Sequence, residues 1–106
     1  MALSGFHVCC ALVNIQHGPG LMGAVQWGET LSSAGTTTNT APNLNLSPTA
    51  LNGGFLNFEL RSSVDAFVAI GPTPNAGSGG ARFYLPANET RNVFCGGGDR
   101  VAWIAA

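Results

Sequence analysis

The sequence predicts an all-β domain, an antiparallel β-sandwich or small β-barrel of about seven to eight short strands, and three observations carry that prediction. Glycine occurs 15 times and proline six times in 106 residues, which leaves little room for long helices. The runs between them are rich in Val, Ile, Leu, Phe, Tyr and Trp and recur at spacings of about eight to twelve residues. One of them, FLNFELR, alternates with period two, and no helical pattern of the kind an α/β fold requires separates the runs.

In chain order, Gly5 to Gln16 reads as a strand that stops at the turn formers His17-Gly-Pro-Gly20. Ala24 to Ser33 reads as a second, with Val25, Trp27 and Leu31 on one parity. Residues 34–54 are mostly turn formers, with Leu44 and Leu46 alternating between asparagines. They read as an extended loop or arm that holds at most a short edge strand, or a helical turn after Ser47-Pro48. In FLNFELR, Leu56, Phe58 and Leu60 face one way while Asn57, Glu59 and Arg61 face the other. VDAFVAI, residues 64–70, is apolar on both parities from Ala66 onward, as suits a strand covered on both sides. GPTPNAGSGG has hairpin-connection chemistry, ARFYLP is extended, ANET turns and RNVFC extends again. Gly96 to Gly98 then permit a reversal into RVAWIAA, where Val101, Trp103 and Ala105 share one face and Ala102, Ile104 and Ala106 the other. Both faces of that last run are apolar, so something must cover the second. The expected core is Phe6, Val8, Leu56, Phe58, Leu60, Phe67, Val68, Ile70, Val101 and Trp103.

A chain of 106 residues suits a single domain, 1–106, with a core of its own. Its oddest property is that only 8% of its residues are charged, against about 25% in ordinary domains. There is no lysine; the bases are Arg61, Arg82, Arg91 and Arg100, and the acids Glu29, Glu59, Asp65, Glu89 and Asp99. A free monomer keeps charge on its surface, so a surface this poor in it implies extensive contact with other protein. Four scattered arginines supply no basic patch for phosphates, which argues against nucleic acid. No apolar run reaches the roughly 18 to 20 residues of a membrane-spanning helix. The opening segment lacks the basic start of an export signal, and His7 and Asn14 interrupt it.

The candidate sites have plain structural readings. Gly18 to Gly23 spells GxGxxG, but the segment after it reads as a strand leading into threonines, without the helix and the later acid of a dinucleotide site. A cysteine hydrolase would draw on Cys95 or Cys9, with His7 or His17 and Asp99, yet no nucleophile motif surrounds any cysteine. Cys9 and Cys10 point to opposite faces and cannot both meet Cys95. One disulfide to Cys95 is allowed, though an odd count without regular spacing reads better as reduced, buried thiols. His7, Cys9 and Cys10 lack the paired spacing of zinc ligands. Glu59 and Asp65 are expected in cross-strand charge pairs with Arg61 or Arg82. Asn45 and Asn88 open glycosylation sequons of a kind that arises by chance in an Asn- and Thr-rich chain. Trp27, Trp103, Tyr84 and the phenylalanines could serve as a sugar platform only where several face solvent together. No catalytic, cofactor-binding or metal-binding residue is therefore assigned, and no cofactor or small-molecule substrate is expected.

From Arg61 onward, RSSVDAFVAIGPTPNA, RFYLPANET and VFCGGGDRVAWIAA are similar to a pattern of small virion proteins of tailed bacteriophages. In that pattern an Asp-Ala-aromatic strand leads to Ile-Gly-x-x-Pro, then Phe-x-x-Pro-Ala, then Gly-Asp-x-Val-Ala. The resemblance covers a little under half of the chain and implies a β-rich structural subunit. Such a subunit would be a decoration or cement protein bound in many copies to the major capsid protein, with a homo-oligomer expected. It would be made in the host cytoplasm and lie on the capsid surface. The different reading is a receptor- or carbohydrate-binding module of a fibre or spike.

Overall fold

The computed structural model of the chain describes residues 4–14, 21–42 and 55–106. They contain eight strands and no helix: β1 (Phe6–Asn14), β2 (Leu21–Leu31), β3 (Gly35–Thr36), β4 (Phe55–Ser62), β5 (Ala66–Gly71), β6 (Phe83–Leu85), β7 (Thr90–Phe94) and β8 (Arg100–Ala105). Two four-stranded sheets form, ordered β2-β1-β4-β7 and β3-β8-β5-β6, with every neighbouring pair antiparallel. The all-β sandwich expected from the sequence is the fold.

The strand order is that of a rolled ribbon. The β5–β6 hairpin is the tip, β4 with β7 the next rung, β3 with β8 the third and β2 with β1 the base, and successive rungs fall in alternate sheets. This is a jelly-roll order with one departure. The return strand of the base rung would follow β8, but β1 occupies that place instead. The two ends of the ribbon's return leg meet on the β4–β5 link, where the Ser63 amide donates to Gly5 O (2.9 Å) and the Ala106 amide to Asp65 O (2.8 Å).

Alternation puts Phe6, Val8 and Cys10 of β1 and Leu56, Phe58 and Leu60 of β4 against Ala66, Val68, Leu85, Val101 and Trp103 of the opposite sheet. Phe6 and Trp103 stack across the sandwich at 5.2 Å and 16°, and Trp27 tilts onto Phe58 at 5.8 Å. Each large side chain buried there contributes about 1.5–3 kcal/mol. Eight of the ten expected core residues are buried, and Ile70 packs half-buried against them.

Phe67 is the exception. It lies on the outer face of β5, opposite Tyr84, because Ala66, Val68 and Ile70 take the inward parity. A strand apolar on both parities does not itself say which side is inside. A second difference arises in β2. The register passes from Cys10–Trp27 to Ala11–Val25, so Gln26 is the extra residue of a bulge and Val25 swings to the outer side, 56% exposed. Val25 therefore does not share a face with Trp27 and Leu31.

Two segments read as connections are integral to the sandwich. The 72–82 connection folds back over the outer face of the second sheet, where Ala76 buries Ala69 of β5 and Ala102 of β8, with Ile104 alongside. The protein itself thus covers the middle of the last strand's second face. The connection is compact: Gly77 N donates to Asn75 Oδ1 (2.9 Å), and a Cβ at Gly80 would collide with the Asn75 carbonyl. Residues 35–42, the start of the expected 34–54 arm, run along the edge of β8. Thr37 N donates to Val101 O (2.8 Å), Val101 N to Thr37 Oγ1 (3.1 Å) and Ala41 N to Asp99 O (2.8 Å), with Thr37 and Ala41 buried. The rest of the expected arm, residues 43–54, lies outside the described residues, with Leu44, Leu46, the Asn45 sequon and Ser47-Pro48.

Candidate interaction surfaces

The cysteines are free, and the fold separates Cys10 and Cys95 from His7. Cys10 is buried and faces Cys95 closely enough for their thiols to hydrogen bond. Burial, then the charges of nearby groups and the Cys10 contact, push the Cys95 thiol up to about 12, far from a thiolate at neutral pH. Asp99 does not approach it as a partner; its Oδ2 accepts the Gly96 amide at 2.8 Å and shapes the turn in which Gly98 takes φ 86°. His7 is on the other side of the sheet, with Nδ1 2.8 Å from Thr30 Oγ1. Cys9 shares that outer face, where burial and then the Glu59 charge raise its pKa. Among the candidate partners, His17 lies outside the described residues, so of the cysteine–histidine pairs the structure brings only His7 and Cys9 to one face. The second half of the GxGxxG, Leu21 to Gly23, begins strand β2. Among the described residues no three His, Cys, Asp or Glu side chains are grouped to hold a metal.

The outer face of the first sheet is polar. Register places Thr30, His7, Arg61 and Thr90 in one row and Gly28, Cys9, Glu59 and Asn92 in the next. Arg61 Nη1 donates to Thr90 Oγ1 (3.1 Å) and Asn57 Nδ2 to Asn92 Oδ1 (3.0 Å). The adjacent row is Val25, Ala11, Asn57 and Phe94, in which Val25 and Phe94 at the two ends are exposed, Phe94 to 63%, while Ala11 and Asn57 between them are buried.

The outer face of the second sheet is aromatic and cationic. Phe67 meets Tyr84 edge-on at 5.9 Å, and the Arg82 guanidinium lies 3.7 Å over the Phe67 ring. Arg82 Nη1 donates to Ala76 O (3.2 Å), so the stacked cation is anchored to the covering loop. Ile104 is paired with Phe67 on β8, and Tyr84 is 46% exposed. Partial burial and an accepting Asp65 carboxylate hold the Tyr84 phenol above its usual range.

The expected pairing of Glu59 and Asp65 with Arg61 and Arg82 is corrected by these contacts. Arg61 bonds to a threonine, Arg82 to a ring and a carbonyl, and Asp65 Oδ1 to the Ala87 amide (2.8 Å). Among the described residues the single salt bridge is Arg91–Glu89, 3.3 Å. Glu29, which the sequence did not mark, reaches from the edge strand β2 and accepts from the Thr38 and Asn39 amides and Asn39 Nδ2, at 2.8–3.1 Å. Asp65, Asp99 and Glu29 thus satisfy the protein's own backbone, Glu89 pairs with Arg91, and among the described residues Glu59 alone of the acids holds neither a hydrogen bond nor an ion pair. Short polar side chains at a loop edge are the only signal that could have pointed to the Glu29 contact. Comparison of the chain with protein-family models, with characterised proteins and with solved structures finds no match.

Proposed function

We propose that the protein is a non-enzymatic structural component of a phage virion, a decoration or cement subunit that binds the major capsid protein in many copies. The observation that carries this reading is the state of its surface. Four of its five acids are taken up within the fold, while Val25, Val64, Tyr84 and Phe94 stand 45–63% exposed. Apolar side chains on both outer faces, with few charges between them, suit a subunit that is surrounded by other protein in use. Many copies on one shell make a modest contact per subunit effective through avidity. The likeness of residues 61–106 to small virion proteins points the same way. A sugar-binding module would want adjoining, coplanar exposed aromatics. Here Phe94 and Tyr84 lie on opposite outer faces, and the Phe67 and Tyr84 rings meet at 65°.

Co-sedimentation of the purified chain with expanded shells of the phage that encodes it tests the reading. Replacement of residues 43–54 of the expected arm by a Gly/Ser segment of equal length should weaken attachment and leave the domain folded. Failure of the parent chain to sediment with shells overturns the capsid assignment. Unchanged binding of the replaced chain removes the arm from it.

A further inference from the structure

The two outer faces of the sandwich complement each other. On the first sheet, Glu59 is the acid that no backbone amide or arginine of the fold engages among the described residues, and it sits one row from the exposed Phe94. On the second sheet, Arg82 is held flat on Phe67 with no carboxylate within salt-bridge reach among the described residues, beside the exposed Tyr84 and the half-exposed Ile104. A stacked guanidinium keeps in-plane donors for a carboxylate, and Tyr with Arg is the composition of interface anchors.

We infer that the outer face of the first sheet of one copy docks on the outer face of the second sheet of another, with Glu59 meeting Arg82 and Phe94 meeting Tyr84 and Ile104. The occupant of each face is a second copy of this chain, because the uncommitted acid and the anchored cation lie on opposite sides of the same sandwich. A contact between two different faces is heterologous: it closes into a ring or continues as a stack, and does not stop at a two-fold dimer. The inference goes beyond the capsid reading and stands or falls independently of it, since it concerns copies of the chain in solution.

Sedimentation velocity of the full chain over a broad concentration range, at low and high salt, tests it. The parent should associate with rising concentration, more weakly at high salt. Glu59→Arg and Arg82→Glu each set like charges against each other in self-contact and should each weaken association at least roughly tenfold. An equimolar mixture of the two variants restores opposite charges at every junction and should associate again. Tyr84→Ser, which leaves the Arg82 stack in place, should weaken association too and serves if Arg82→Glu disturbs folding, with circular dichroism as the control. A parent that stays monomeric throughout overturns the inference. So does association of both single variants at parental strength, or a mixture of folded variants that fails to recover.

Discussion

Gly80→Ala should unfold the cover of the last strand, and the structure allows the size of the effect to be worked out. The added Cβ would fall on the Asn75 carbonyl, a backbone atom that cannot step aside without opening the 72–82 loop. Opening it breaks the Gly80 N to Gly77 O hydrogen bond (3.0 Å), a loss of about 1 kcal/mol. It also returns the methyl groups of Ala69, Ala76 and Ala102 to water, each now 2–5% exposed. At about 0.8 kcal/mol per methyl-sized group this adds roughly 2 kcal/mol, for about 3 kcal/mol in all. In a domain of this size that lowers Tm by roughly 12 °C. Gly79→Ala is the matched control: its Cβ would meet nothing within 4 Å, and stability should stay within about 0.5 kcal/mol. Thermal unfolding followed by circular dichroism measures both. If the two variants melt together near the parent, the tight Asn75–Gly80 approach does not hold the loop down and the reasoning fails.

Three other outcomes are expected. Burial acts to raise the Glu29 carboxyl, but the Thr38 and Asn39 hydrogen bonds prevail and hold it below its ordinary value. Its stabilisation is therefore present at neutral pH and lost as pH falls through that lowered value, on the acid side of the ordinary glutamate range; Glu29→Gln should cost about 1 kcal/mol at neutral pH and flatten the acid limb of a urea-midpoint profile. Native Cys95 should alkylate with iodoacetamide far more slowly than in denaturant, since its thiol lies near 12; rapid native labelling would contradict its place in the core. A circular permutant that joins Ala106 to Ser4 through a short flexible linker and opens between Asn14 and Leu21 should give the same dichroism spectrum and one cooperative transition. A chain so joined that does not fold would mean the ends do not adjoin at Ser63 and Asp65.

Strand positions were readable where polarity alternates, and the side facing in was readable only there. FLNFELR has one apolar parity, and Leu56, Phe58 and Leu60 are buried as that parity requires. In AFVAI both parities are apolar, and the choice that sends Phe67 outward depends on the partner sheet and on Ala76, which lies beyond the strand itself. The bulge at Gln26 likewise leaves no local trace, since it is set by pairing with β1. The candidate surfaces were half visible. Scarcity of charge is a property of composition, but which acids are engaged depends on loops folding back: Glu29 reaches Thr38 and Asn39, and Asp65 reaches Ala87, 22 residues away.

The central position of β8 dictates an order of events during synthesis. Thr37 and Val101 pair across 64 residues, so β3 and the segment after it wait on the order of 3 to 13 s on the ribosome for their partner, at about 5 to 20 residues per second. Until β8 emerges, β5 and β6 have only each other, and the inward faces of β1 and β4 lack Val101 and Trp103 to close on. A chain halted before Arg100 therefore leaves part of its apolar interior open to chaperones and proteases.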